Sequence, residues 1–174
     1  LEAAEKLFYA KARDVKKKLK EKGFKGKFLF LDHHDCHAAS TFFVSPFGTA
    51  AILIVDGIGE FESTTLYHGR NNNIKQILSI DYPDSLGFLW EKLSKFLGFT
   101  EYDACKVMGL AAYGNPSVYR SEFEKIVNID ENGLFKIDDL IMRFRIEDYS
   151  ELTRLFGVKK RNKPSSISLK PFNK

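Results

Sequence analysis

Ala50-Ala51-Ile52-Leu53-Ile54-Val55-Asp56-Gly57-Ile58-Gly59-Glu60 is the stretch on which the fold turns. Its apolar run has the length and β-branched content of a buried strand, and Asp56-Gly57 closes it. Downstream, Glu60 to Tyr67 alternates in part, His68-Gly69-Arg70-Asn71 supplies a turn, and Ile74 to Ile80 follows. A three-stranded meander is expected. Upstream, Ser45-Pro46-Phe47-Gly48 interrupts the chain, and a helix is predicted from the histidine-rich segment His33 to Ser40. Lys27 to Leu31 reads as a further buried strand that delivers this segment.

The remainder alternates helix and strand signals. Pro83 to Gly87 reads as a loop, Phe88 to Leu97 as a helix ending at Gly98, and Lys106 to Gly114 as a turn or short helix. Ser117 to Val127 reads as another helix, Asp130-Glu131-Asn132-Gly133 as a hairpin turn, and 147–156 as a short helix. At the front, Leu1 to Lys22 has helical apolar spacing, with Gly23 as its C-cap. The fold class is α/β, a mixed sheet with flanking helices. The whole of 1–174 is read as one fragment of a longer protein, with a motif-bearing core at 28–116 and a flexible tail at 159–174.

Composition removes several function classes. The chain has 174 residues with 44% apolar content, which suits one globular domain. Its net charge of +4 lies at the ends: residues 1–27 hold ten basic and four acidic groups, residues 159–174 hold six basic and none acidic, and the stretch between is net acidic. A nucleic-acid partner is therefore not expected, because the positive charge does not lie over the folded body. The longest apolar run is too short for a membrane span, and the charged first twenty residues have no signal-peptide core. Two cysteines, Cys36 and Cys105, make no disulfide framework, so a reducing, cytoplasmic setting is expected.

Chemistry concentrates in one place. Of four histidines, His33, His34 and His37 lie within five positions. Residues four apart share a helix face, so His33 and His37 can aim two ring nitrogens at one point. Asp56, at the end of the 50–55 strand, is the natural third donor if that strand runs parallel to 27–31. Two imidazoles and one carboxylate with open positions suit ferrous iron, with zinc or manganese as alternatives. His34 would then touch substrate, and Cys36 would pack elsewhere. Gly57, Gly59 and Glu60 read as a turn whose backbone can approach a phosphate. Ser85, Gly87, Lys106 and Gly109 are further candidates for holding a phosphate-bearing ligand, with Lys106 as a point charge.

Taken together, His-His-x-x-His-Ala-Ala-Ser, Ser-Pro-Phe, the Asp56-Gly57-Ile58-Gly59-Glu60 strand end, Ser-Leu-Gly, Leu-Gly-Phe and Lys-Val-Met-Gly-Leu-Ala-Ala-Tyr-Gly occur in an order that resembles the NodU/CmcH carbamoyltransferases, over about residues 28–116. The chain departs from that pattern at Asp84, Trp90 and Cys105. The resemblance implies an N-terminal domain of actin/sugar-kinase-like (ribonuclease H-like) fold, related to the tRNA threonylcarbamoyl-transfer enzyme and followed by a YrdC-like domain. It also implies carbamoyl phosphate and ATP as substrates, a carbamoyl adenylate, and transfer to a hydroxyl of a small-molecule acceptor. By motif, the family's iron-type metal falls on His33, His37 and Asp56. Two other readings stand beside this one: an ATP-dependent small-molecule kinase of the same fold, and a non-catalytic metal-binding module.

Overall fold

The computed structural model describes residues 14–162, and its backbone divides into two compact units, Leu1–Asp32 and His33–Lys174. In the first unit, helix α1 covers 14–21. It stops because Gly23 takes φ +92°, letting the Phe24 N–H reach the Leu19 carbonyl and the Gly23 N–H reach that of Lys20, both at 2.9 Å. That pair of bonds is a Schellman ending, with glycine carrying the left-handed turn. Residues 1–13 of the expected helix lie outside the described residues. The expected strand at Lys27 to Leu31 does not form, and Leu29, Phe30 and Leu31 are exposed. An apolar run becomes a strand only with a neighbouring backbone to pair with. Among the described residues this run has no such partner.

The second unit begins at the histidine segment. Helix α2 spans His33–Phe42, followed by β1 (Thr49–Val55), β2 (Glu62–Arg70) and β3 (Asn73–Asp81) in an antiparallel sheet of order β1-β2-β3. The meander expected from the sequence is present, but the sheet is antiparallel rather than mixed. Ile52 pairs with Tyr67 and Ile54 with Thr65 across β1 and β2, so these four side chains share the face that α2 covers. One helical stripe, His34, Ala38 and Phe42, is buried there against Ile52, Ile54 and Tyr67. Phe42 lies over Gly69, where an added Cβ would come within 2.7 Å of the ring.

Helix α3 (Leu86–Phe96) then links this layer to a second core. It packs Leu89 and Phe96 with residues of α5 (Arg120–Ile126), of the hairpin β4 (Val127–Ile129) and β5 (Phe135–Ile137), and of α6 (Asp139–Met142) and α7 (Ser150–Phe156). The buried Lys92 ammonium holds the α6–α7 connection by bonding to the carbonyls of Arg143 at 3.1 Å and Ile146 at 2.5 Å. Helix α5 starts at Arg120 rather than Ser117, after Tyr119. Residues 159–162 of the expected flexible tail are tied down, since the Arg161 N–H bonds the Phe96 carbonyl at 2.9 Å; 163–174 lie outside the described residues. Helix α4 (Ala104–Ala111) has no buried residue. None of the described helices is long and apolar enough to cross a membrane.

Candidate metal centre

His33 opens α2, and its backbone N–H donates to Glu60 Oε2 at 3.0 Å, so a carboxylate satisfies a first-turn amide and complements the helix dipole. One turn on, His37 shares its stripe. That stripe stands at the rim of the α2–sheet layer, beside the last residue of β1. Asp56 is there: His33 Nε2 lies 2.7 Å and His37 Nε2 3.5 Å from Asp56 Oδ2, and the two Nε2 atoms are 3.0 Å apart. All three donors are solvent-accessible.

The three atoms converge because β1 ends beside α2 in an antiparallel sheet. The parallel pair of strands expected from the sequence plays no part. Asp56 is oriented from behind: its Oδ1 accepts the Gly57 N–H at 2.6 Å, leaving Oδ2 turned to the imidazoles. Burial works to raise its carboxyl, but the bonds from His33 and Gly57 and the nearby imidazoles outweigh it and hold Asp56 below the ordinary carboxylate value. Donors about 2.1 Å from one ion and at right angles lie roughly 3.0 Å apart. The observed separations of 2.7, 3.0 and 3.5 Å match that spacing. Two imidazoles and a carboxylate on one side of a point, with the other side open, is a donor set suited to iron or zinc.

The other expected site residues divide into groups. His34 does not face the three donors. It is 2% exposed on the sheet-facing stripe, and its Nδ1 lies 2.8 Å from Thr65 Oγ1. Burial lowers its imidazole below the ordinary value, against the opposing pull of Glu62 and Asp56. A catalytic role in contact with substrate is therefore corrected: successive helical residues point 100° apart, and this ring belongs to the packed side. Cys36 is exposed rather than packed.

Gly57, Gly59, Ser85 and Gly87 build the corner that holds Asp56. The Gly57 N–H is taken by Asp56 Oδ1 and the Gly59 N–H by the Glu62 carbonyl at 2.7 Å, so neither is free for a phosphate in this conformation. Ser85 is fully buried; its hydroxyl donates to the carbonyls of Gly57 at 2.6 Å and Asp56 at 3.3 Å and accepts the Phe88 N–H at 3.1 Å. It caps α3 and latches that helix to the site. Gly87 is the residue that permits the close approach, since a Cβ there would meet the Asp56 carbonyl oxygen and the Gly57 nitrogen at 2.6 Å. At Gly57 a Cβ would find only the Phe88 ring, at 3.7 Å. Lys106 is on exposed α4 and pairs with Asp103 at 2.7 Å, which raises the lysine and pulls Asp103 down to about 2. Gly109, on the same helix, has open space around it.

Sequence reasoning missed Thr65, Tyr67 and Asp35. The Tyr67 hydroxyl donates to Asp35 Oδ1 at 2.9 Å, and burial followed by that bond pushes the phenol up to about 12. The available signal was the alternation of Ser63, Thr65, Tyr67 and Gly69 along β2, which puts the Thr65 and Tyr67 polar atoms under α2.

A family model described as Carbamoyltransferase N-terminus matches residues 3–166. The chain is 34% identical over 147 residues to Uncharacterized protein sll1178 of Synechocystis sp., a match covering 80% of this chain and 23% of that protein. It is 40% identical over 108 residues to Nodulation protein NolNO of Sinorhizobium fredii, covering 62% of this chain and 16% of the relative. To Nodulation protein NolO of Bradyrhizobium diazoefficiens it is 34% identical over 107 residues, covering 62% and 20%. The chain thus spans less than a quarter of the length of these curated relatives.

Proposed function

This chain belongs to the carbamoyltransferase N-terminus family, and from that premise we propose that it is the metal-bearing part of an O-carbamoyltransferase of actin/sugar-kinase-like fold. The single observation that carries the site is the convergence of His33 Nε2, His37 Nε2 and Asp56 Oδ2. In this reading water hydrolyses carbamoyl phosphate to phosphate and carbamate, carbamate and ATP yield carbamoyl adenylate and pyrophosphate, and an acceptor hydroxyl displaces AMP to form the carbamate ester. A YrdC-like domain elsewhere in the full-length protein makes the adenylate, and the acceptor is a small molecule bearing that hydroxyl.

His33, His37 and Asp56 would hold a divalent cation, ferrous iron first. Bound there, the cation supplies electrostatic stabilisation of oxygen charge that grows during transfer. The chain's own residues prepare the place. Gly57 orients the Asp56 carboxylate, Glu60 fixes the start of α2, and the Ser85 latch with Gly87 holds the Asp56-Gly57 corner rigid. The kinase alternative fits the donors less well, because magnesium favours oxygen ligands and retains its waters.

Metal analysis of the full-length protein, with an assay for AMP release, tests the proposal. About one metal per chain and AMP formation dependent on carbamoyl phosphate are expected, both lost in a His33→Ala/His37→Ala double variant. Metal-free protein, or AMP formation indifferent to that variant, would overturn it.

A further inference from the structure

We infer that His34, Thr65 and Tyr67 are positioning residues that set the roll of α2 about its axis and so aim His33 and His37 at Asp56. The inference rests on the metal reading above and extends it to side chains that never touch the cation. His33 and His37 lie outside the buried stripe of α2. Ala38 and Phe42 press the helix onto the sheet, yet apolar contact is non-directional and tolerates small rotations. A roll of about 20° would sweep a side-chain tip some 6 Å from the axis through about 2 Å, the length of a metal–ligand bond.

Directional bonds oppose that roll, and their polarity can be read. Tyr67 gives its one proton to Asp35 Oδ1 at 2.9 Å. His34 Nδ1 and the Thr65 hydroxyl are hydrogen-bonded at 2.8 Å. This pair of bonds ties the consecutive α2 residues His34 and Asp35 to Thr65 and Tyr67 on one face of β2. It straps the helix to β2 immediately between the two ligand histidines. His34 Nε2 is buried with no partner among the described residues, which favours the proton on Nδ1, where Thr65 can accept it, over an unpaired buried N–H. It faces Gly59, where an added Cβ would lie 3.4 Å from it and 3.1 Å from the neighbouring ring carbon.

Cobalt(II) titration of the intact protein, with circular dichroism and thermal unfolding alongside, tests the strap. Thr65→Val, Tyr67→Phe and His34→Leu should each weaken cobalt binding about 10-fold or more, the scale of a lost outer-shell partner, at temperatures well below their unfolding midpoints. Thr65→Ser, and His34→Asn, whose amide N–H stands where Nδ1–H does, should stay within about 3-fold of the parent. Parent-like affinity in Thr65→Val, Tyr67→Phe and His34→Leu would overturn the inference while sparing the metal reading. If the parent binds no cobalt, the metal reading fails, and imidazole ¹⁵N spectra of the metal-free protein still decide the strap. They should show His34 as the Nδ1–H tautomer, with His33 and His37 signals moved by Thr65→Val and His68 unmoved. An Nε2–H tautomer at His34, or unmoved His33 and His37 signals, would sink it.

Discussion

Helices α2 and α4 each open a motif-bearing stretch rich in small and apolar residues, and the structure treats them in opposite ways. On α2 the stripe His34, Ala38 and Phe42 is buried, and the polar atoms beside it bond to β2. On α4 nothing is buried; Met108 is 66% exposed, and Lys106 is paired within its own first turns. The difference teaches what makes a motif into a site. Side chains gain a fixed direction only where a second element supplies packing and bonds. Helix α4 buries no side chain, and α3 reaches it through the Trp90 indole N–H on the Ala104 carbonyl at 3.1 Å, a bond to backbone that orients none of its side chains. Glycine follows the same division: Gly87 sits against the Asp56-Gly57 backbone, while Gly109 borders open space.

Four substitutions sharpen or break that comparison. Gly87→Ala is expected to be the most damaging, because the new Cβ would meet backbone at 2.6 Å and that backbone carries Asp56. Overpacking of this kind costs about 3 kcal/mol in denaturant unfolding; a loss under about 1 kcal/mol would show that α3 does not seat on the corner as described. Ser85→Ala removes the cap of α3 and the latch to Gly57, and a loss of about 1–2 kcal/mol is expected in the same measurement. Gly109→Ala should go the other way, raising stability by up to about 1 kcal/mol, since alanine is the better helix former and has room there. Destabilisation would mean that α4 is covered in the folded protein. Smallest of all, Lys106→Gln should leave the unfolding midpoint nearly where it is, because the lysine end of its pair with Asp103 is exposed to solvent.

Much of the architecture was legible in advance. The meander followed from alternation and turn residues, and helices near 86–96 and 150–156 followed from spacing and caps. The run Lys27 to Leu31 misled because apolar composition speaks for burial, and whether a neighbouring backbone is present is not written in five residues. In sequence Gly57 and Gly59 read as phosphate-facing, whereas in the structure their amides bond within the chain. The reason is that a tight Asp-Gly corner looks the same in sequence whether its N–H groups face a ligand or a carboxylate. His34 is ambiguous in sequence for a related reason: three closely spaced histidines look alike until one knows which side of the helix is packed.

Local periodicity determined that His33 and His37 share a stripe and that Asp56 stands at the end of a strand, because helical rise and strand pleat are properties of the backbone itself. Tertiary structure alone decided that these three meet, that His34 turns inward to Thr65, and that Gly87 rather than Gly57 is the glycine the site cannot replace. Those outcomes depend on which surfaces from distant parts of the chain are buried together, and no short window of sequence contains that information.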